Sequence, residues 1–349
     1  MLALRKFAIS CRALVPSSIW QMGGVYFWKR RLKRNFGYDG RRFLAWSGIV
    51  GSLDQPAENR AAKIAATAHA LEKGLSHPVP RAGFGQDKTR FLIRLIEEYL
   101  PKAGFDHIVG NAIIVLQRRS ELNASLGHHE PELDQRIEDL AQRMGSAQLE
   151  ALTGGADKTT REDIHRDGKF DLMPFMLSRH SIRDYTNEPV DPELIKQAIR
   201  LAQLSPSVCN RQAWKVHAYF DQTRIRELLA YQNGNATFRE DITTLLIITS
   251  DLRKFYDCGE RFQGWIDGGM FSMSMTLALH SLGLGACCLN WSAEMERDTA
   301  MRTAANIPDH ELVIMMMSVG HIPEILKVAV SPRRPLEEVL VLGDEHPPA

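Results

Sequence analysis

The sequence predicts a domain of mixed helices and strands, α/β or α+β, in its C-terminal half, and an all-helical region before it. Short apolar runs typical of strands, AWKVHAYFD, ITTLLIITSD and ELVIMMMSVGHIP, alternate with helical patterns between residues 192 and 323. Between residues 56 and 151 only helical periodicity occurs. The length of 349 residues allows two such units. We therefore divide the chain into an arm (1–55), a helical region (56–151), a linker (152–169) and a mixed domain (170–349).

The helical region is predicted from its spacing and its end signals. In PAENRAAKIAATAHALEKGLS, residues 56–76, good helix formers run up to Gly74, which is expected to be the C-cap. Asp87 is expected to cap the next helix, DKTRFLIRLIEEYL, and two further helices follow in GNAIIVLQRRSELNASL and PELDQRIEDLAQRM. Three glycines and many charges make residues 152–169 the predicted linker. The apolar stretch GGMFSMSMTLALHSLGLG indicates a central helix covered on all sides.

The arm has an unusual charge distribution. Residues 1–50 hold ten Lys and Arg residues against one acid, Asp39, together with several aromatic residues. This composition fits either a helix on an anionic membrane surface or an arm that packs on the rest of the protein. The net charge of +1 gives no reason to expect nucleic acid binding.

We expect a cytoplasmic protein from the composition, and contact with a membrane surface is the alternative. The five cysteines form no CxxC motif and no zinc-like spacing with histidine, so we expect reduced thiols and no metal site. No apolar run is long enough to span a bilayer, and no signal peptide is predicted.

Two segments of the mixed domain carry polar groups suited to ligand binding. In SRHSIRDYTNEPV, residues 178–190, Arg179, Ser181 and Arg183 with His180 offer planar guanidinium and hydroxyl donors that suit a phosphate. A charged, solvated helix end is the alternative for this stretch. The loop SPSVCNRQAW, residues 205–214, places small polar groups before a strand, where they could hydrogen-bond a flat polar heterocycle.

These motifs, taken with GLGACCLNW (283–291) and SPRRPLEEV (331–339), resemble the nitroreductase family of FMN-dependent oxidoreductases. Four motifs in the same order cover about half of the chain, residues 171–342. The resemblance implies an α+β fold: a mixed, mainly antiparallel sheet flanked by helices, here preceded by an α-helical N-terminal region. It also implies a homodimer with FMN at the interface, and a C-terminal segment that extends the partner's sheet.

The resemblance also implies which residues bind FMN. Arg179, Ser181, Arg183 and Arg333 would hold the phosphate and ribityl chain, with His180 beside them and Arg334 as a substitute for Arg333. Pro206, Ser207 and Asn210 would reach the flavin from the partner chain, and Asn235 would contact the pyrimidine edge. Backbone groups of Cys288, Leu289 and Asn290 would face the ring. No side-chain nucleophile or general base is expected to be catalytic.

The expected function is an FMN-dependent oxidoreductase that takes electrons from NADH or NADPH and passes them to a small organic acceptor. The sequence departs from the family pattern in two places: Ala213 replaces the proline of Gln-Pro-Trp, and Asn290 and Trp291 stand where many members carry an acid. Because Trp291 would narrow access to the ring, a specialised dehydrogenase or oxidase acting on a biosynthetic intermediate is one alternative. A non-turnover FMN-binding dimer with a scaffold role is the other.

Overall fold

A computed structural model of the chain describes residues 17–49 and 56–343, with side chains from residue 25 onward. Residues 1–16, 50–55 and 344–349 lie outside the described residues, and so do the basic residues Arg5, Lys6 and Arg12 of the predicted arm. No helix in the described ranges is long and apolar enough to cross a membrane.

The arm contains a long helix, α1 (Ser17–Trp46), that packs on the mixed domain. Its inner face makes polar contacts: Arg31 pairs with Glu294, and the Tyr38 hydroxyl donates to Asp298 Oδ2 at 2.6 Å. The Trp46 indole donates to Asp309 Oδ2 at 2.8 Å. Packing on the rest of the protein, one of the two alternatives for the arm, is therefore what the second half of α1 does.

The helical region consists of α2 (Ala57–Leu75), α3 (Gln86–Ala103), α4 (His107–Ser125), α5 (Pro131–Met144) and the short α6 (Ser146–Glu150). These helices enclose a core of their own, which includes Ile64, Leu92, Ile96 and Ile113. Gly74 was expected to end α2, but it lies inside the helix. A Cβ there would approach the Phe84 ring to 2.4 Å, so close packing explains this glycine.

The first turn of α3 is also capped differently from the sequence prediction. Gly85, with a φ of 71°, occupies the N-cap position, and Asp87 lies inside the first turn. The predicted linker is not entirely irregular, because α7 (Arg161–Asp167) forms within it behind a capping box made by Thr160 and Asp163. A second short helix, α8 (Leu172–Ser178), leads into the arginine-rich motif.

The mixed domain is built on a four-stranded sheet in the order β1-β2-β4-β3. Its strands are β1 (Trp214–Tyr219), β2 (Thr244–Asp251), β3 (Leu284–Asn290) and β4 (Glu311–His321), and neighbouring strands are antiparallel. A single parallel bridge joins Ser181 to Ala286 at the β3 edge. The predicted α+β class with a mainly antiparallel sheet is confirmed.

Helices cover both faces of the sheet. On one face α9 (Pro192–Ala202) and α11 (Gln263–Ser281) pack on Leu246 and Ile248; on the other, α10 (Gln222–Leu229) and α12 (Met295–Ala305) pack around Leu245 and Ile247. This alternation along β2 follows from the two-residue period of a strand.

The central helix α11 is covered on one side only. Gly268 lets it approach the sheet, because a Cβ there would lie 2.6 Å from Ile314. On the opposite side Ile266, Met270 and Met273 are exposed at 53%, 37% and 43%. Their spacing of four and three residues places them on one stripe of the helix. The expectation of a helix covered all round is wrong for the single chain.

Candidate functional site

The arginine-rich motif is held against the edge of the sheet by its own backbone. The Ile182 amide donates to the Ala286 carbonyl at 3.0 Å, beside the Ser181–Ala286 bridge. The Tyr185 hydroxyl donates to the Ile182 carbonyl at 2.7 Å and lies 2.8 Å from Ser318 Oγ. Residues 181–185 are thus anchored to β3 and β4, which fixes where their side chains begin.

The polar side chains of this motif make few hydrogen bonds or ion pairs within the described residues. Arg183 is exposed, and its one hydrogen bond within the described residues is to the Ser181 carbonyl at 3.4 Å. Ser181 is also exposed, and Arg179 is half-buried without an ion pair in the described part of the chain. Burial raises the pKa of the neighbouring Cys287 thiol, while the Arg183 charge and Ser181 oppose that rise. Two guanidinium groups and a hydroxyl therefore remain able to bind an anion.

His180 and Arg179 line a small cleft that ends at α11. In this cleft Ser178 Oγ lies 2.9 Å from His280 Nε2. Burial lowers the pKa of His280, and the nearby Arg179 and His180 charges lower it further, against the effect of a hydrogen bond that the ring donates to the Phe175 backbone carbonyl. Arg179 and His180 therefore lie close to the C-terminal end of α11, and Ser181 and Arg183 follow at the edge of β3.

The strand residues Cys288, Leu289 and Asn290 lie in the last part of β3. Leu289 is buried, whereas Cys288 and Asn290 are exposed on the opposite face, as a strand requires. Cys288 Sγ lies 3.5 Å from Thr276 Oγ1, and the Asn290 carbonyl accepts from Gln232 Nε2 at 3.2 Å. The exposed part of this face therefore begins at Cys288, two residues after the buried Ala286 of the bridge, and reaches Asn290.

Asn235 has a different environment from the one expected of a ring contact. Its side chain is fully buried, and its amide donates to the carbonyls of Leu229 and Gln232, both at 2.9 Å. Its oxygen accepts from Arg239 Nε at 2.6 Å. These bonds close the loop after α10 and leave no group directed outward.

Gln232, which was not among the residues predicted from the sequence, is the residue of this loop that reaches β3. Its amide nitrogen bonds the Asn290 carbonyl, and its oxygen accepts from Asn235 at 2.8 Å. The stretch YQNGN contains several amides of similar chemistry, so nothing in the sequence distinguishes the one that bonds the strand.

The loop containing Pro206, Ser207 and Asn210 is tightly bent. Cys209, Asn210 and Gln212 have φ values of 49°, 52° and 48°, in the left-handed region that non-glycine residues seldom adopt. Ser207 Oγ accepts from the Gln212 amide at 3.1 Å, and Asn210 Oδ1 accepts from the Gln212 side chain at 3.2 Å. The loop is therefore held in a strained but hydrogen-bonded form.

Within one chain this loop and the arginine-rich motif lie far apart. The loop contacts Asp267 near the start of α11, through the Val208 amide at 3.2 Å, whereas Ser178 contacts His280 near its end. Thirteen residues separate the two contacts, which is about 20 Å along a helix axis. A single chain does not bring both groups of predicted residues to one point.

Arg333 and Arg334 lie in an exposed segment that follows β4. Arg333 donates to the Ser331 carbonyl, and in the described residues no hydrogen bond joins either arginine to residues 179–183. Val330 and Val341, which flank them, are each 89% exposed. The role of these two arginines stays a prediction.

Comparisons with known proteins find a family that resembles this part of the chain. The model of the Nitroreductase family matches residues 176–237 and 222–321. Residues 176–321 are therefore similar to the nitroreductase family. The match begins just before the arginine-rich motif and ends with β4, so the matched part, here called the nitroreductase-family domain, contains both the motif and the whole sheet.

Named relatives cover the same part of the chain. A putative NADH dehydrogenase/NAD(P)H nitroreductase of Archaeoglobus fulgidus is 27% identical over 158 residues, 43% of this chain and 85% of the relative. An FMN reductase (NADPH) of Bacillus subtilis is 25% identical over 162 residues, 42% of this chain and 64% of the relative. Among solved structures, a putative nitroreductase of Desulfovibrio desulfuricans in complex with FMN is 24% identical, with a TM-score of 0.44, and covers 52% of this chain and 99% of its own.

Proposed function

We propose that the protein is an FMN-dependent oxidoreductase that transfers electrons from NADH or NADPH through bound FMN to a small organic acceptor. The observation that carries this proposal is the anchored cluster of Arg179, Ser181 and Arg183, whose donors are free to bind a phosphate beside an exposed strand face. The names of the relatives, FMN reductase and NAD(P)H nitroreductase, support the cofactor and the electron donor.

The residues present fit an FMN phosphate. Arg183 and Ser181 are exposed at a rigid point of the backbone, and Arg179 lies beside them in the His280 cleft. An anion placed there would receive charge-assisted hydrogen bonds from two guanidinium groups. Because no acid forms an ion pair with either arginine in the described chain, no ion pair has to break first.

The strand face next to the motif would hold the ring. FMN, when bound, supplies hydride and electron transfer between a nicotinamide and an organic acceptor. The chain's part is to position it: Gln232 fixes the Asn290 carbonyl, and the Trp291 indole donates to Asp298 Oδ1 at 2.8 Å. That bond holds Trp291 just after β3, packed on the buried cluster that contains Leu289. No described side chain is needed as a nucleophile.

Two copies of the chain would complete each site. The loop at residues 206–210 cannot reach the arginine-rich motif of its own chain along α11, but a second chain packed on the exposed stripe of α11 could supply it. The apolar residues Ile266, Met270 and Met273 are suited to such an interface. We propose a homodimer on this basis.

Flavin content tests the proposal most simply. The wild-type protein should copurify with FMN or take it up to one per chain, measured by its visible absorption. Arg183→Ala should bind FMN more weakly by about 2 kcal/mol, roughly 30-fold, because a charged hydrogen bond to the phosphate is lost. Arg200→Ala, an exposed arginine on α9, is the matched control and should bind normally. Full flavin retention by Arg183→Ala would show that the phosphate binds elsewhere.

A further inference from the structure

A large cavity lies between the helical region and the nitroreductase-family domain. Its volume is about 770 Å³, which is in the size range of small-molecule binding sites. Helices α2 and α4 form one wall; the opposite wall is formed by residues 210–216 and Lys254. The cavity is therefore a product of the added helical region, which the family match does not include.

One part of the cavity wall is apolar and made of small side chains. Ala61, Ala65 and Ala68, at intervals of four and three residues, present one face of α2 to the space. Across from them Trp214 stacks on Phe271 with ring centroids 5.0 Å apart, and both line the cavity. Alanines opposite a rigid aromatic pair leave a slot suited to a flat or narrow apolar group.

Two of the three Lys and Arg side chains on the cavity wall are already neutralised. Arg211 pairs with Glu260 and donates to the Lys254 carbonyl at 2.9 Å. Lys215 donates to Glu311 Oε1 at 2.9 Å. Neither has to bind a ligand to satisfy its charge.

Lys254 differs from these two residues. Its side chain is half-buried and lines the cavity, and within the described residues its ammonium makes no hydrogen bond or ion pair. Burial lowers the pKa of Lys254, against the attraction of the more distant Asp251 and Glu58. A partly desolvated cation without a partner is unfavourable, and an anion in the cavity would offset that cost.

We propose that this cavity binds an amphipathic organic anion, whose carboxylate pairs with Lys254 and whose apolar body lies between the α2 alanines and Trp214. The inference stands independently of the proposed function, since it concerns binding and requires no flavin. Asn210 and Gln212, from the strained loop, line the same cavity, so a ligand there would contact the loop directly.

Calorimetric titration of the full chain with excess FMN present tests this proposal. The probes are three carboxylates, indole-3-acetate, phenylacetate and octanoate, each paired with its primary amide, which has the same shape without the charge. We expect at least one carboxylate to bind tenfold or more tightly than its amide. Lys254→Met should abolish that preference and leave amide binding unchanged, Lys254→Arg should keep most of it, and Lys88→Met, on the exposed surface of α3, should keep all of it.

A second pair of variants tests the apolar slot. Ala65→Phe would fill the space beside α2. It should weaken the binding of both the carboxylate and its amide at least tenfold. Ala124→Phe, an exposed position on α4, should weaken neither. The proposal is overturned if no carboxylate is preferred over its amide by the wild type, if the preference survives in Lys254→Met, or if Ala65→Phe binds like the wild type.

Discussion

Glu311 begins β4 with its carboxylate almost fully buried. Lys215 donates to Oε1 at 2.9 Å and Thr249 donates to Oε2 at 2.6 Å, and His217 Nε2 also lies 2.6 Å from Oε2. Burial alone would raise the pKa of Glu311, but these hydrogen bonds outweigh it and lower the pKa from 4.5 to about 2. The ionised carboxylate therefore joins β1, β2 and β4 at one end of the sheet.

This lowered pKa predicts a specific acid sensitivity. A depressed folded-state pKa contributes stability that is complete above pH 4.5 and is lost as the pH falls towards 2. Glu311→Gln should lower the free energy of unfolding at pH 7 by roughly 2–3 kcal/mol, and its stability should fall less between those pH values. Urea unfolding across this pH range measures both effects. Glu121→Gln, a control at an exposed position, should behave like the wild type. If the stability of Glu311→Gln depended on pH as that of the wild type does, Glu311 would not be the group with the lowered pKa.

At the level of residues, the sequence predicted the chemistry of the anion-binding motif better than its surroundings. Arg179, Ser181 and Arg183 are close in the chain, so a short local segment brings them together. Asn235 was chosen for its side-chain chemistry, but its bonds to Leu229, Gln232 and Arg239 depend on how the loop folds. Lys254 could not be predicted either, because its lack of a partner depends on the packing of distant segments.

The helix α1 is attached to the nitroreductase-family domain by a buried arginine. Arg42 is 5% exposed and donates to the carbonyls of Asp309 at 2.8 Å and Glu311 at 2.7 Å. The carboxylate of Asp298 lies 3.6 Å from the same guanidinium. Lys29, Arg30 and Lys33 are exposed on the outward side of α1, where contact with an anionic membrane stays a prediction.

Replacing this arginine should destabilise the whole chain. Arg42→Met removes the donors of two buried carbonyls and leaves Asp298 with less compensation, so we expect a loss of roughly 3–5 kcal/mol in unfolding free energy. Arg41→Met, its exposed neighbour, should change stability by no more than about 0.5 kcal/mol. Denaturant unfolding compares the two. Equal stabilities would mean that α1 contributes little to the fold.

At the level of elements, the sequence predicted correctly the features that depend only on residues close together in the chain. The apolar runs of β2 and β4 and the periodicity of α5 gave the correct element types, because burial sets their spacing. The predicted caps of α2 and α3 were wrong. Gly74, for example, allows the Phe84 ring to pack closely against α2 and does not end the helix. The charge of the arm did not reveal that Arg31 and Arg42 pair with acids more than 250 residues away.

The molecule as a whole has an open apolar surface where α11 faces away from its sheet. The arginine-rich motif and the loop at 206–210 approach opposite ends of this helix. The sequence alone predicted a buried α11, because an all-apolar helix looks the same whether its own chain or a second chain covers it. The family resemblance, and not periodicity, suggested the dimer.

Mixed dimers test whether two chains share each site. Arg183→Ala and Asn210→Gly should each weaken FMN binding in homodimers; glycine is compatible with the φ of 52° at that position. If each site combines Arg183 of one chain with Asn210 of the other, a mixed dimer of the two variants contains one intact site. Differently tagged, co-expressed chains should then bind one FMN per dimer at wild-type affinity. A mixed dimer without any tight site would show that each chain uses its own loop.

We propose that a nicotinamide nucleotide reduces the bound flavin. The visible spectrum of the FMN-loaded protein during anaerobic titration with NADH and, separately, NADPH tests this proposal. We expect that one of the two nucleotides bleaches the oxidised flavin band with one equivalent per site, and that an added organic acceptor restores the band. A protein that cannot be loaded with FMN, or whose flavin stays oxidised with both nucleotides, would contradict it.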